Sequence, residues 1–309
     1  MEKSISVIIP FFNSESCIGR MLDSILSSTY MPSEILLIDD GSTDNSKEII
    51  EQYSSKHSFI KYVKKDHSGV SASRNLGIKL ATGDFISFLD SDDYIEPNMY
   101  ELMAAAIKDD SFDGCLCGYF THKEQLVTEY YSKTMDVLFS DDILRLMFTD
   151  DNVRGFLFTR LFKADLLKSI SFDEDIAMCE DLLFQSRFFS LNKVKFAYVK
   201  EPLYHYIQNT SSVTVSRPLF KEGQFIYAPA FDRIRHYTNA DFVEDSYNSI
   251  LDYSMYTLLL NYRKGDRSVL PQIRQLQALL KKAPIKKNDF HSIAYRYAPL
   301  LYSLKLPGN

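Results

Sequence analysis

Asp84-Phe85-Ile86-Ser87-Phe88-Leu89-Asp90-Ser91-Asp92-Asp93 reads as a short buried strand that runs directly into three carboxylates. The same plan recurs upstream. Residues 5–10 are an apolar, β-branched run closed by Pro10, where a strand has to end. Residues 34–38 are a second such run, ending in Asp39-Asp40-Gly41-Ser42-Thr43-Asp44, and residues 60–64 are a third. Between them, Ile18, Met21, Leu22, Ile25 and Leu26 mark one face of a helix over 16–27. Ser42 or Thr43 can cap a helix over 45–55, and residues 69–80 read as a third helix. This alternation predicts an α/β fold, with a central mostly parallel sheet covered on both faces. Ligands of such sheets bind beyond the carboxyl ends of the strands, and that is where the acids fall.

Composition narrows the class. The 309 residues carry 35 basic and 41 acidic side chains, a net charge of −6 that argues against nucleic acid as a partner. Charge is uneven, with six basic residues and one acid, Asp289, from residue 281 onward. The four cysteines, at 17, 115, 117 and 179, fit no zinc-ligand spacing. No apolar run approaches the ~20 residues a membrane-spanning helix needs. The start runs into a strand without a signal peptide, and a reduced, cytoplasmic protein is expected. From about residue 98 the pattern loosens into longer helices and irregular segments, and from Arg217 it is almost wholly helical. The division expected is a catalytic domain over 1–216, with halves 1–100 and 101–216, and a helical region over 217–309.

Three clusters carry candidate chemistry. Asp90, Asp92 and Asp93 group hard oxygen ligands as Mg²⁺ or Mn²⁺ prefers, with waters and substrate phosphates completing the shell; the plainer reading is a solvated, helix-capping turn. Asp39 and Asp40 at a strand end can accept from a uracil N–H or from ribose hydroxyls, or serve only as a turn and cap. His67-Ser-Gly-Val-Ser-Ala-Ser-Arg74-Asn75-Leu-Gly77 combines glycines that admit close backbone approach with an arginine suited to phosphate, or is an ordinary loop with a surface arginine.

Four segments in order resemble the motif set of family-2 glycosyltransferases: Val7-Ile-Ile-Pro10-Phe-Phe-Asn13, Ile38-Asp39-Asp40-Gly-Ser-Thr-Asp44, Gly69-Val-Ser-Ala-Ser-Arg74-Asn75-Leu-Gly77 and Phe88-Leu-Asp90-Ser-Asp92-Asp93. The match covers residues 4–100. It continues in Met178-Cys-Glu180-Asp181-Leu-Leu-Phe184, similar to that family's acid pair. The resemblance implies a GT-A-type fold of the bacterial cell-surface polysaccharide kind, acting by inversion. By it, Asp40 would meet the uracil and Pro10 would shape the base pocket, with Phe12, Asn13, Glu15, Arg74 and Ser91 also on the donor side. Asp90 and Asp92 would face ribose and metal-diphosphate, with Asp92 on the cation. Asp181 would be the catalytic base and Glu180 the next candidate. The family often places Gly or another small residue where Cys179 stands.

An inverting displacement needs a base at the acceptor hydroxyl and charge neutralisation at the departing diphosphate. Asp181, remote in sequence from Asp90 and Asp92, fits that division. The partners expected are a UDP-sugar donor, Mn²⁺ or Mg²⁺, and a glycan or lipid-linked acceptor. Alternatives are a protein or teichoic-acid acceptor, or a sugar nucleotidyltransferase. The last needs a Gly-rich basic loop after the first strand, where this chain has Phe11-Phe-Asn-Ser-Glu-Ser. His205, between Tyr204 and Tyr206, either joins the metal shell or is a strand histidine packed among aromatics.

Toward the C-terminus, Phe290, Ile293, Ala294, Tyr297, Leu300, Leu301 and Leu304 are spaced for one apolar face that Pro299 should kink or split. Beside Lys281, Lys282, Lys286 and Lys287, that face suits peripheral contact at the inner face of the plasma membrane. It equally suits packing on the catalytic domain or on a second subunit as a homodimer.

Overall fold

The computed structural model describes residues 3–208, 218–238, 240–283 and 290–306. The chain divides into two compact units, 1–215 and 216–309. The expected division after residue 216 lies one residue away.

The first unit opens with β1 (Ile5–Phe11), α1 (Ile18–Leu26), β2 (Glu34–Asp39), α2 (Ser46–Ser54), β3 (Ile60–Lys64), α3 (Val70–Leu80) and β4 (Phe85–Phe88). Strands β1 and β2 are buried along their whole length, as continuous apolar runs inside a parallel sheet must be. Strand β1 lies parallel between β2 and β4, and β3 extends the sheet parallel to β2. The core beneath it includes Ile9, Ile18, Leu22, Ile25, Leu37 and Ile50. Each such side chain stabilises the fold by roughly 1.5–3 kcal/mol when fully buried. Helix α3 packs on β1 so closely that a Cβ on Gly77 would sit 2.4 Å from Ile8 Cγ2. That glycine is demanded by the contact of helix and strand.

Beyond β4 come β5 (Tyr94–Ile95), α4 (Met99–Ala106), β6 (Gly114–Lys123), β7 (Leu126–Tyr130), β8 (Val137–Phe139), α5 (Ser140–Thr149), β9 (Arg160–Lys163), α6 (Ala164–Leu167), α7 (Glu180–Leu191) and β10 (Lys195–Ile207). The sheet runs β3-β2-β1-β4-β9-β6-β10-β5, with β7 on β6 and β8 on β10. Strand β9 enters antiparallel between β4 and β6, while β6 and β10 are parallel. The loose pattern after residue 98 therefore contains two long strands. Alternation is obscured because β10 shifts register around Pro202, whose missing N–H confines it to such irregularities.

The second unit starts with a short pair, Phe220–Lys221 and Gln224–Phe225, and is otherwise helical: Ala228–Tyr237, Asp241–Arg263, Leu270–Lys282, Phe290–Tyr297 and Pro299–Ser303. Phe231, Leu251, Met255, Leu259, Ile273, Leu276 and Leu280 fill its core. The chain breaks at Ala298, and Pro299 opens the last helix in the position where its missing N–H costs nothing. Lys286 and Lys287 lie outside the described residues, as do Asn209 to Arg217.

Candidate active site

The acid and glycine-rich loops of residues 11–15, 40–45, 65–69 and 89–93 lie at the carboxyl ends of β1 to β4. Asp39 ends β2 and is consumed by structure: its carboxylate accepts from the Ser42 N–H at 2.7 Å and the Tyr62 hydroxyl at 2.6 Å. Asp40 follows. It accepts from the Ser68 and Gly69 N–H groups, both at 2.9 Å, and from Lys65 Nζ. Burial alone would raise this carboxyl, but Lys65 and the two amides hold it below the usual range. Gly69 takes φ +92°, a conformation that favours glycine. The exposed Phe12 ring lies 4.7 Å from the His67 ring, beside Asp40, and Pro10 is buried in β1.

Asn13 and Glu15 spend their side chains on the neighbouring loop. Asn13 Oδ1 accepts from the Thr43 N–H at 2.9 Å, and Glu15 Oε2 from the Asn45 backbone N–H at 2.9 Å and side chain at 2.7 Å. They brace the β1 and β2 loops against each other. Spacing cannot reveal this, because the partners lie 30 residues away.

The acid loop after β4 sorts its three carboxylates. Asp93 is fully buried and accepts from the Tyr204 hydroxyl at 2.6 Å and the Ile207 N–H at 2.7 Å. It anchors the loop to β10. Tyr204 in turn accepts from the Asp90 N–H at 3.2 Å, and Ser91 Oγ meets Ser14 Oγ at 2.9 Å. Burial, and then the Asp90 charge, push the Asp92 carboxyl above its ordinary value. Such a group favours a counter-cation. Among the described residues, no three His, Cys, Asp or Glu converge as a metal cage. Asp92 and Asp90 are the carboxylates that could hold Mg²⁺ or Mn²⁺, a class of ion that usually binds through one or two carboxylates with phosphates and waters supplying the rest.

His205 is corrected. Its Nε2 pairs with Glu96 Oε1 at 2.7 Å and its Nδ1 with His122 Nε2 at 2.8 Å. The ring is sandwiched by Tyr94 at 4.1 Å and Phe120 at 4.5 Å. Both nitrogens have protein partners, as those of a strand histidine packed among aromatics do.

The acid pair stands at the first turn of α7. Arg74 Nη1 donates to Glu180 Oε1 at 2.8 Å, and Nη2 to Asp90 Oδ1 at 3.3 Å. Burial would weaken this cation, but Glu180, Asp90 and Asp181 more than restore it. Arg74 thus joins the acid loop to the acid pair, where a phosphate contact was expected. Aromatic packing supports the join. Phe184, one turn beyond Glu180, stacks on Phe172 at 3.9 Å, and Phe172 meets Phe88 edge-on at 5.8 Å, two residues before Asp90. Asn75 locks the same loop through Phe172, donating to its carbonyl at 3.0 Å and accepting from its N–H at 2.8 Å.

Asp181 is partly buried, and its carboxyl accepts from the Leu182 N–H at 2.7 Å. Burial, followed by the Glu180 charge, pushes it well above the usual carboxylate range. That is the direction a general base at neutral pH requires. Cys179 caps this helix at φ +61°, a left-handed conformation that explains a preference for glycine there.

Sequence reasoning missed Lys65, Tyr204 and Arg160. Arg160 is fully buried, and its guanidinium donates to the carbonyls of Val153 (3.0 Å), Arg154 (2.6 Å) and Phe156. Of the charges around it, Asp181 favours its cation most. An arginine inside the apolar run Phe156-Leu-Phe-Thr-Arg160-Leu-Phe was the available signal.

Fold and acids together define a glycosyltransferase of the GT-A class. The family described as Glycosyl transferase family 2 matches residues 6–173. EpsH of Bacillus subtilis, named as a glycosyltransferase, is 30% identical over 266 residues, 81% of this chain and 72% of its own. The cholesterol galactosyltransferase of Borreliella burgdorferi is 31% identical over 224 residues, 69% of this chain and 62% of its own. The crystal structure of S. aureus TarS 1–349 in complex with UDP-GlcNAc matches the fold with a TM-score of 0.73 at 22% identity, over 98% of this chain and 90% of that one. This chain belongs to glycosyltransferase family 2.

Proposed function

We propose that the chain is a metal-dependent inverting glycosyltransferase, moving a sugar from a UDP-sugar to a hydroxyl of a glycan or lipid-linked acceptor in cell-surface polysaccharide synthesis. The observation that carries this reading is Asp181: a carboxyl raised by burial and by Glu180, near Asp90 but separately held. The UDP-GlcNAc bound by TarS and the sterol substrate named for the Borreliella relative support a UDP donor and a hydroxyl acceptor.

In this mechanism the acceptor oxygen attacks the anomeric carbon as its proton passes to a carboxylate oxygen of Asp181, and the bond from that carbon to the diphosphate breaks. Asp40 and Phe12 hold the base, and Asp90 the ribose. Asp92, beside Asp90, would hold a divalent cation, which when bound would supply Lewis-acid neutralisation of the departing diphosphate. Arg74 fixes Asp90 and Glu180 in one unit, which keeps donor and acceptor sides in register. The test is a panel of UDP-sugars with a soluble acceptor, with and without EDTA, and NMR of the first product. Transfer that requires the cation and inverts the anomeric configuration is expected. Retention, or full activity in EDTA, would overturn the reading.

A further inference from the structure

Helix Phe290–Tyr297 buries Tyr295 together with two polar side chains, Ser292 and Arg296, and Arg296 donates to the carbonyls of Leu280 and Ala283. Phe290, Ile293 and Tyr297, at positions i, i+3 and i+7, face outward. The apolar face continues into the next helix, where Leu301 and Leu304 are 71% and 72% exposed. Tyr297, Leu300 and Leu301 line one open groove of about 310 Å³ together with Ile273 and Arg274. At the other end, Lys305 Nζ lies 5.4 Å from the centroid of the Phe290 ring. A contiguous apolar surface of this kind marks a binding face.

Charge identifies what covers it. Between residues 263 and 306, the described residues include eight basic side chains and one acid, Asp266, in a chain whose net charge is −6. All but one of the basic side chains, the buried Arg296, are exposed. A second copy docking through the same face would set these charges against themselves. An anionic surface with an apolar interior satisfies both features. No described helix is long and apolar enough to cross a membrane. We propose that Phe290–Tyr297 and Pro299–Ser303 lie in the interface of an anionic lipid bilayer, with Lys281, Lys282 and Lys305 among the headgroups.

The test is co-sedimentation of the full chain with phosphatidylcholine vesicles, with and without phosphatidylglycerol. Binding is expected on the anionic vesicles alone and is expected to fall as salt rises. Leu301→Asp with Leu304→Asp, and separately Lys281→Ala with Lys282→Ala, should each lower partitioning by roughly tenfold or more. Their thermal midpoints should not move, since all four side chains are exposed; if the aspartate pair unfolds the chain, the alanine pair carries the test. Equal binding to neutral vesicles, no binding to anionic ones, or binding unchanged in a folded variant pair would overturn the proposal. So would a dimer that the aspartate pair dissolves while vesicles are ignored. None of these readouts needs a donor, so the outcome is independent of the transfer reaction.

Discussion

Arg74 and Glu180 stand 106 residues apart in the chain and meet at 2.8 Å. The same guanidinium reaches Asp90. One side chain therefore couples the loop after β4 to the first turn of α7. A planar fork can hold two carboxylates at once, and a lysine ammonium on a flexible stem cannot do so with the same geometry. Arg74→Lys should keep the charge yet lower kcat/KM by roughly tenfold or more, with little change in fold. Arg74→Ala, which leaves Glu180 and Asp90 without their shared partner, should also cost about 1–3 kcal/mol in urea unfolding. Wild-type kinetics in the lysine variant would show the bridge to be dispensable.

Asp181→Asn should leave donor affinity within a few-fold and slow transfer by roughly 10² or more, the scale of a lost general base. Since the folded carboxyl is raised, the base is ionised only above that value. The acid limb of the kcat–pH profile should then lie above the ordinary carboxylate range near ~4. A group raised on folding favours the folded state at low pH and loses that contribution as pH rises through the folded value. Asp181→Asn should accordingly be as stable as the parent or more so at neutral pH, with the difference vanishing below about pH 4. Melting curves across pH check the sign.

Asp92 and Asp93 adjoin but should fail differently. Asp92→Asn should abolish metal-dependent UDP binding by calorimetry and leave the melting midpoint at neutral pH unchanged or higher, because burial and Asp90 disfavour the charge it removes. Asp93→Ala strands the Tyr204 hydroxyl and the Ile207 N–H and should cost roughly 1–3 kcal/mol. If the two substitutions behaved alike, the division between ligand and anchor would be wrong.

Cys179→Gly should be tolerated, since φ +61° suits glycine. Cys179→Val puts a β-branched side chain in that conformation and should cost about 1–2 kcal/mol or more. It should also reduce transfer, because the next two residues are the acid pair. Chemical denaturation and a rate measurement on both variants decide it.

Gly77→Ala brings a methyl group to 2.4 Å from Ile8 Cγ2. Overpacking of this kind costs about 1–3 kcal/mol. Ile8→Ala in the same chain should recover part of that loss, a coupling that a double-mutant cycle measures.

What the sequence determined by itself were the features carried by local period and end chemistry. These are the four strands running into polar loops, the apolar face of the first helix and the places of the next two, the break at Pro299 and the candidacy of Asp90 and Asp92; the candidacy of Asp181 came from the family resemblance. Short-range patterns suffice for these, because side-chain direction along a strand or helix follows residue spacing alone. The tertiary structure decided which acid is held by which partner. Asp92 and Asp93 are consecutive, yet only Asp93 meets Tyr204, since β10 crosses the sheet to pair with β5 and β6. The same crossing sets His205 against Glu96 and His122 and gives both ring nitrogens protein partners. Arg74 turns from phosphate to Glu180 because Phe172, Phe184 and Phe88 pack α7 beside the loop after β4. Such pairings join residues about a hundred positions apart. Their partners are chosen by sheet order and packing, and no spacing along the chain encodes either.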